Sequence, residues 1–253
     1  MRTRSQQLLA VTLVAAAAVV AAVYVPRPAR AADSGKKVKL FNGKNFDGWY
    51  TYINGDGKNN DPDKVFTIED GGVIHASGKK YGYVGTENEY ENYKLSVEFK
   101  WGQNKYYKDP NTPRDAGVLY YCVGPDKVWM KSLEFQIQEH DCGDMYLTGG
   151  EGGPPALTVK SRQADGSREF MWDPNGVPKT FNGGHVVKGL DNEKPNGQWN
   201  TAVVIARGPH IEHWINGKLN LVGDDASLTK GRINIQSEGA EIYYRNITLE
   251  HLK

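Results

Sequence analysis

Apolar and polar residues alternate with a period of two through most of the chain beyond residue 90. In Lys94–Lys100 the alternation sets Leu95, Val97 and Phe99 on one side, and Gly117–Cys122, Thr201–Arg207, Ile211–Ile215, Arg232–Glu238 and Ile242–Leu249 follow the same rule. Successive side chains of an extended strand point to opposite faces, so each run predicts a strand with one face on a core. Asn216-Gly217 stands between Ile211–Ile215 and Lys218–Val222. Both residue types accept positive φ, which predicts a two-residue hairpin there. No long run has a helical period. Gly102–Ala116 and Gly143–Gln198 interrupt the strands, are rich in Gly, Pro, Asn and Asp, and read as long loops over one mouth of the fold. The pattern predicts an all-β protein, a jelly-roll sandwich of two antiparallel sheets.

One run differs from the rest. Leu133–Asp144 (LEFQIQEHDCGD) places Leu133, Phe135 and Ile137 on one face and Glu134, Gln136 and Gln138 on the other. A carboxylate and two carboxamides in a row offer fixed donors and acceptors for sugar hydroxyls, although an ordinary wet sheet face can also be polar. Arg232–Glu238 repeats the arrangement, with Ile233 and Ile235 inward and Arg232, Asn234, Gln236 and Glu238 outward. If both strands join one sheet, the two rows form the floor of a saccharide groove. Two unrelated exposed faces are the alternative.

Composition and charge narrow the setting. Arg2 and Arg4 precede an apolar run from Leu8 to Val25 that ends at Ala29-Arg30-Ala31. Residues 1–31 thus read as a secretory signal peptide, with an uncleaved anchor as the competing reading. Its removal takes away four arginines and no acid, so the formal charge moves from +1 to −3, which argues against a nucleic-acid partner. After cleavage nothing else is apolar enough to span a membrane. Residues 32–253 show no linker and no repeat, and read as one domain, exported to the periplasm or medium. The sequence sets no oligomeric state. Cys122 and Cys142 form a disulfide only if their strands bring them together; no histidine pair accompanies them for zinc.

The candidate chemistry centres on carboxylates. EFQIQE resembles the E-x-D-x-x-E strand of β-glucanases, yet Gln136 replaces the central Asp, and Glu134 and Glu139 point to opposite faces unless a bulge intervenes. His213 lies on the core side of its strand, either as a satisfied core histidine or as a base or ligand. His140, Asp141 and Asp144 at the end of the central strand are weak candidates for a divalent cation. No other cofactor is indicated. Trp199, Trp214 and the tyrosines are platforms for sugar stacking or core filler. Serine-hydrolase, nucleotide-binding and zincin motifs are absent.

Five stretches in order, LFNGKNFDGW (Leu40–Trp49), LEFQIQEHDCGD, NEKPNGQWNT (Asn192–Thr201), HWING (His213–Gly217) and GRINIQSEGAEIYYRNITL (Gly231–Leu249), resemble the 3-keto-disaccharide hydrolase family, also described as 3-keto-glucoside 1,2-lyase/3-keto-2-hydroxy-glucal hydratase. The resemblance implies a concanavalin-like jelly roll and an exported bacterial enzyme acting on glycosides oxidised at C3. A C3 ketone acidifies the C2 proton, so a base can remove it, the C1 substituent can leave, and water can add later. Donors or a bound cation would hold the enolate oxygen. Glu134 or Glu238 is the expected base, and Gln136, Gln138, Gln236, Asn234 and Trp214 the expected saccharide contacts. Many members carry Asn-Ser-Gly and then an Arg four residues after that glycine, where this chain has Asp115-Ala116-Gly117 and Tyr121. Tyr121 is expected in the Arg's place at the substrate, with Arg114 as the nearest substitute cation. The alternative from another class is a non-catalytic carbohydrate-binding sandwich.

Overall fold

Two antiparallel sheets pack face to face because the alternating strands give each sheet a continuous apolar side. The computed structural model describes residues 34–253 except Asp165 and Arg168; the signal peptide expected over 1–31 lies outside the described residues. The larger sheet has eleven strands. Its path runs Phe170–Trp172, Ala156–Gln163, Lys218–Asp224, His210–Ile215, Asn200–Arg207, Tyr93–Lys105, Ala240–Leu252, Val73–Ala76 and Phe66–Glu69, with Ser34–Lys39 and Val177–Asn182 attached beside it. The second sheet has eight strands: Gly184–Val186, Met145–Thr148, Lys131–Gln138, Asp115–Val123, Arg232–Ser237, Gly82–Thr86, Trp49–Ile53 and Gly57–Lys58. No helix occurs among the described residues.

Leu95, Val97 and Phe99 of the larger sheet and Val118, Phe135, Ile137, Ile233 and Ile235 of the smaller are buried in one core. Each of these aliphatic or aromatic side chains contributes on the order of 1.5–3 kcal/mol by leaving water. The hairpin at Asn216-Gly217 has φ of 50° and 79° at its two turn residues, the left-handed pair that matches the twist of the flanking strands. The segment Gly143–Gln198 is a correction to the expected loop, since it holds five strands, Met145–Thr148, Ala156–Gln163, Phe170–Trp172, Val177–Asn182 and Gly184–Val186. They lie at or near the sheet edges, where many side chains stay in water, so hydrophobic alternation there is weak.

Tyr121 is also corrected. Alternation from Gly117 and Leu119 would direct it to the second face, but a bulge between Tyr120 and Val123 holds Tyr121 at φ 53°. The extra residue turns its ring back into the core against Tyr93 and Tyr120, far from any role as an Arg substitute. Cys122 and Cys142 are both buried free thiols.

His213 is a core histidine. Its Nδ1 faces the Gly143 carbonyl at 3.1 Å and its Nε2 faces the Tyr120 hydroxyl at 2.9 Å, so the neutral ring donates from Nδ1 and accepts at Nε2. Burial lowers its pKa to about 4. The unfolded chain takes up this proton near the ordinary histidine value, while the folded chain resists it until pH 4. Stability is therefore expected to fall by about 3 kcal/mol as pH drops from 6.5 to 4. Urea denaturation of His213→Gln should show lower stability at pH 7 and a flatter slope over that window.

Candidate active site

The second face of the eight-stranded sheet carries the two polar rows, and the register brings them together across one strand. Gly117 pairs with Gln136, and Leu119 pairs with both Glu134 and Asn234. The Asp115–Val123 strand thus separates the rows, and its glycine lets them close over it. A Cβ on Gly117 would lie 2.2 Å from Glu134 Oε1 and 2.2 Å from Gln236 Oε1, closer than any side chain tolerates. Two acceptor oxygens therefore share a space that only glycine leaves open.

The polar floor is buried. Glu134, Gln136 and Glu238 are 4, 6 and 6% exposed, and Asn234 and Gln236 are fully enclosed. Glu238 Oε1 accepts from Trp129 Nε1 at 2.5 Å and from Gln236 Nε2 at 3.2 Å. Gln138 Nε2 donates to Asp115 Oδ2 at 2.8 Å. Asp115 Oδ1, Gln136 Oε1, Asn234 Oδ1 and Gln236 Oε1 are buried with no hydrogen-bond partner among the described residues. Each such oxygen costs about 1–3 kcal/mol if it stays unpaired, so the floor is built to receive donors.

Three carboxyls share this space, and burial is the main influence on each. Burial, with the Glu238 and Asp115 charges next, pushes Glu134 well up. Burial and the Asp115 charge raise Glu238 to about 8, against the opposing Trp129 hydrogen bond. Burial raises Asp115 to about 6, against the Gln138 hydrogen bond. Glu134 has no such donor, so it keeps its proton longest, and Glu238, with two donors, carries negative charge more readily.

Loops complete the site. Asp126 Oδ1 accepts from Tyr50 at 2.6 Å, Tyr83 at 2.7 Å and Arg232 at 3.0 Å. That knot pins the segment between Val123 and Lys131 to the sheet and so presents Trp129 to Glu238. Trp129 meets Tyr81 edge to face at 5.9 Å. Tyr107 donates to the Glu238 carbonyl at 2.7 Å and accepts from the Asp115 amide at 2.8 Å.

The structure thus gathers Glu134, Gln136, Gln138, Asn234, Gln236 and Glu238 on one floor. It does not bring the other expected residues there. Arg114 Nη1 is held by Glu139 at 2.7 Å, because both stand at the end of their strands, and its buried Nε has no partner among the described residues. Trp214 belongs to the opposite sheet, with its Nε1 on Glu212 at 2.6 Å. Trp199 lies under the Arg245 guanidinium at 3.8 Å, also on that sheet. Asp144 is fully buried and already receives His185 Nε2 at 2.6 Å and the Lys188 amide at 2.9 Å, with Lys188 Nζ at 3.7 Å. Lys188 Nζ also donates to the His140 carbonyl and lies 3.9 Å from Asp141. A lysine thus fills the place proposed for a cation, and His140, Asp141 and Asp144 do not fit a metal. No group of three or more His, Cys, Asp or Glu suited to a metal occurs among the described residues.

The sequence reading missed Asp115, Tyr81, Tyr107 and Trp129. Parity with Gly117 marks Asp115 as a floor residue. The three aromatic residues lie on or beside loops, where no periodicity identifies them.

Residues 36–250 match the family model of the 3-keto-alpha-glucoside-1,2-lyase-like domain. Among solved structures, a candidate glycosyl hydrolase of Parabacteroides distasonis superimposes with a TM-score of 0.55 at 23% identity, covering 87% of this chain and 94% of that one. A second from the same organism gives 0.54 at 23%, covering 86% and 100%. A galectin-like protein of unknown function from Bacillus subtilis gives 0.51 at 12%, covering 87% and 96%. At these identities the likeness is one of fold. No curated protein matches the chain.

The raised carboxyls carry a stability cost that grows with pH, since the unfolded chain releases the Glu238 proton near 4.5 and the folded chain holds it to about 8. Glu238→Gln keeps an acceptor for Trp129 and removes the charge. Its melting temperature should exceed that of the parent by roughly 10 °C at pH 8, with the difference vanishing near pH 4, as calorimetry across pH would read.

Proposed function

We propose, from the premise that this chain belongs to the 3-keto-alpha-glucoside-1,2-lyase-like domain family, that it is an exported enzyme cleaving 3-keto-glycosides by C2 proton abstraction and elimination. Membership supports a carbohydrate-active protein; the buried carboxyls support the finer reading. The observation that carries it is the trio Glu134, Glu238 and Asp115, whose proton affinities are raised on a floor where the Glu134 and Gln236 side chains close over Gly117. A binding module gains nothing from such costly groups, because neutral amides would recognise hydroxyls as well. A catalyst that must move protons near neutral pH needs carboxyls of this basicity.

In this reading the Glu238 carboxylate takes the C2 proton, and the C–H electron pair forms an enolate whose charge rests on the C3 oxygen. Trp129 Nε1 and Gln236 Nε2, which hold Glu238 before the reaction, are the donors free to turn to the developing charge once Glu238 has taken the proton. The enolate then re-forms the ketone, a C1–C2 double bond appears, and the C1–O bond breaks. Protonated Glu134 gives its proton to the leaving oxygen. Gln136 and Gln138, at the less enclosed end of the floor, hold the sugar hydroxyls, and the enclosed Gln236 keeps Glu238 in place. Water can then add to the enone at C1, with its proton returned to C2, which completes a net hydrolysis.

Incubation of the purified protein with a 3-keto-glucoside in D2O, followed by proton NMR with and without EDTA, tests this. Deuterium at C2 together with aglycone release is expected. No exchange and no release across several 3-keto-glucosides would sink the enzymatic reading. The expected kcat/KM rises between pH 6 and 8 as Glu238 loses its proton, and Glu238→Gln should lower it at least a hundredfold. Gly117→Ala should abolish turnover, since the added methyl takes the space that the Glu134 and Gln236 oxygens share, while circular dichroism should still report a folded sandwich.

A further inference from the structure

Beside the carboxyl floor lies a cleft of about 670 Å³ that the proposed proton transfers do not use. Tyr81, Tyr106 and Tyr107 supply its aromatic walls, and Lys79, Lys80 and Lys108 its charge. It shares a wall with the floor. Tyr107 bonds both the Glu238 carbonyl and the Asp115 amide, Gly239 follows Glu238 and abuts the Tyr107 ring, and Tyr81 packs on Trp129. The cleft therefore lies next to the carboxyls, on the Glu238 side of the floor.

The walls are fixed in place. Asn54 N donates to the Tyr81 carbonyl at 2.9 Å, Ser237 Oγ to the Lys80 carbonyl at 2.9 Å, and Tyr106 N to the Gly239 carbonyl at 2.7 Å. Tyr81 and Tyr106 are 36 and 47% exposed, which leaves ring faces open for stacking. Lys80 is matched by Asp56 and Asp63 at 2.8 and 2.5 Å. Lys79 and Lys108 make no side-chain hydrogen bond or close ion pair among the described residues, and the one acid in the wall, Asp109, caps the Asn111 amide at 2.9 Å. The cleft wall therefore carries three lysines against one carboxylate, with Asp63 within electrostatic reach of Lys79, on a chain whose formal charge without residues 1–31 is −3.

We propose that this cleft is the aglycone subsite and that it selects aromatic aglycones bearing a carboxylate. The inference rests on the elimination reading for the position of the leaving group, while the chemistry of the walls sets the class. A phenolic ring stacks between tyrosine faces, and its carboxylate meets Lys79 and Lys108, whose ammonium groups are not taken up by a hydrogen-bonded ion pair among the described residues. Developing charge on the phenolic oxygen is also favoured in a cationic cleft, because the charge appears as the C1–O bond breaks.

A matched pair of substrates tests it: the 3-keto-glucosides of 4-hydroxybenzoate and of phenol. The expected kcat/KM is about tenfold higher for the carboxylated substrate at low salt, and that ratio should fall to about one in Lys79→Ala/Lys108→Ala. A ratio near one in the parent overturns the proposal. Calorimetric titration with free 4-hydroxybenzoate decides the subsite separately from turnover. Binding that weakens about tenfold in the double variant supports it even if neither glucoside is cleaved, in which case only the elimination reading fails. Absence of 4-hydroxybenzoate binding to the parent overturns it.

Discussion

The smaller sheet buries both of its faces, one against apolar side chains and the other around polar atoms that the protein leaves unpaired. The first face obeys the usual rule for a sandwich core, where Phe135, Ile137, Ile233 and Ile235 meet the opposing sheet. The second breaks the rule that buried polar groups find partners. Four buried oxygens stay unpaired and three carboxyls resist ionisation. The apolar side must supply the stability that the polar side consumes. Such a division is common where a fold holds reactive groups, because the same burial that destabilises a carboxylate makes it a stronger base.

Position on the sheet then decides what each residue can do. Glu134 and Gln236 come from strands on either side of Asp115–Val123, and they approach because that strand carries Gly117 where they cross. The Asp126 knot with Tyr50, Tyr83 and Arg232 holds the segment that bears Trp129 and thereby settles which carboxyl receives an indole hydrogen bond. Arg232, outward on the same row as Asn234 and Gln236, thus tethers the segment between Val123 and Lys131. These links join the rigid sheet to the loops around the site.

Much of this was legible in the sequence. Period-two alternation gave the strands that carry Glu134 and Gln236, and parity put the two polar rows on corresponding faces. Alternation failed where the backbone departed from regular geometry. The left-handed Tyr121 at a bulge reverses the side to which it points, and nothing in the letters YYCV announces the extra residue. Arg114 and Asp144 illustrate a second failure: their types suit binding, but Glu139 already holds Arg114 Nη1 and the His185–Lys188 pair already holds Asp144. Residue type states what a side chain can bind, and only the fold states what already occupies it. Trp129 and Tyr107 stayed hidden because loops have no period.

The insertion of Arg232–Ser237 between Asp115–Val123 and Gly82–Thr86 has a kinetic meaning. Both neighbours lie far away in sequence, so the sheet closes through contacts of long range, which are slow to form because much chain must be ordered first. Before that closure Glu134 stands in water with ordinary acidity, and Glu238 has neither Trp129 nor Gln236 beside it. Strong basicity therefore appears only once Arg232–Ser237 has docked beside Asp115–Val123. A partly folded chain would be a poor proton acceptor, and the unusual acidity of the finished floor serves as an intrinsic reporter that assembly is complete.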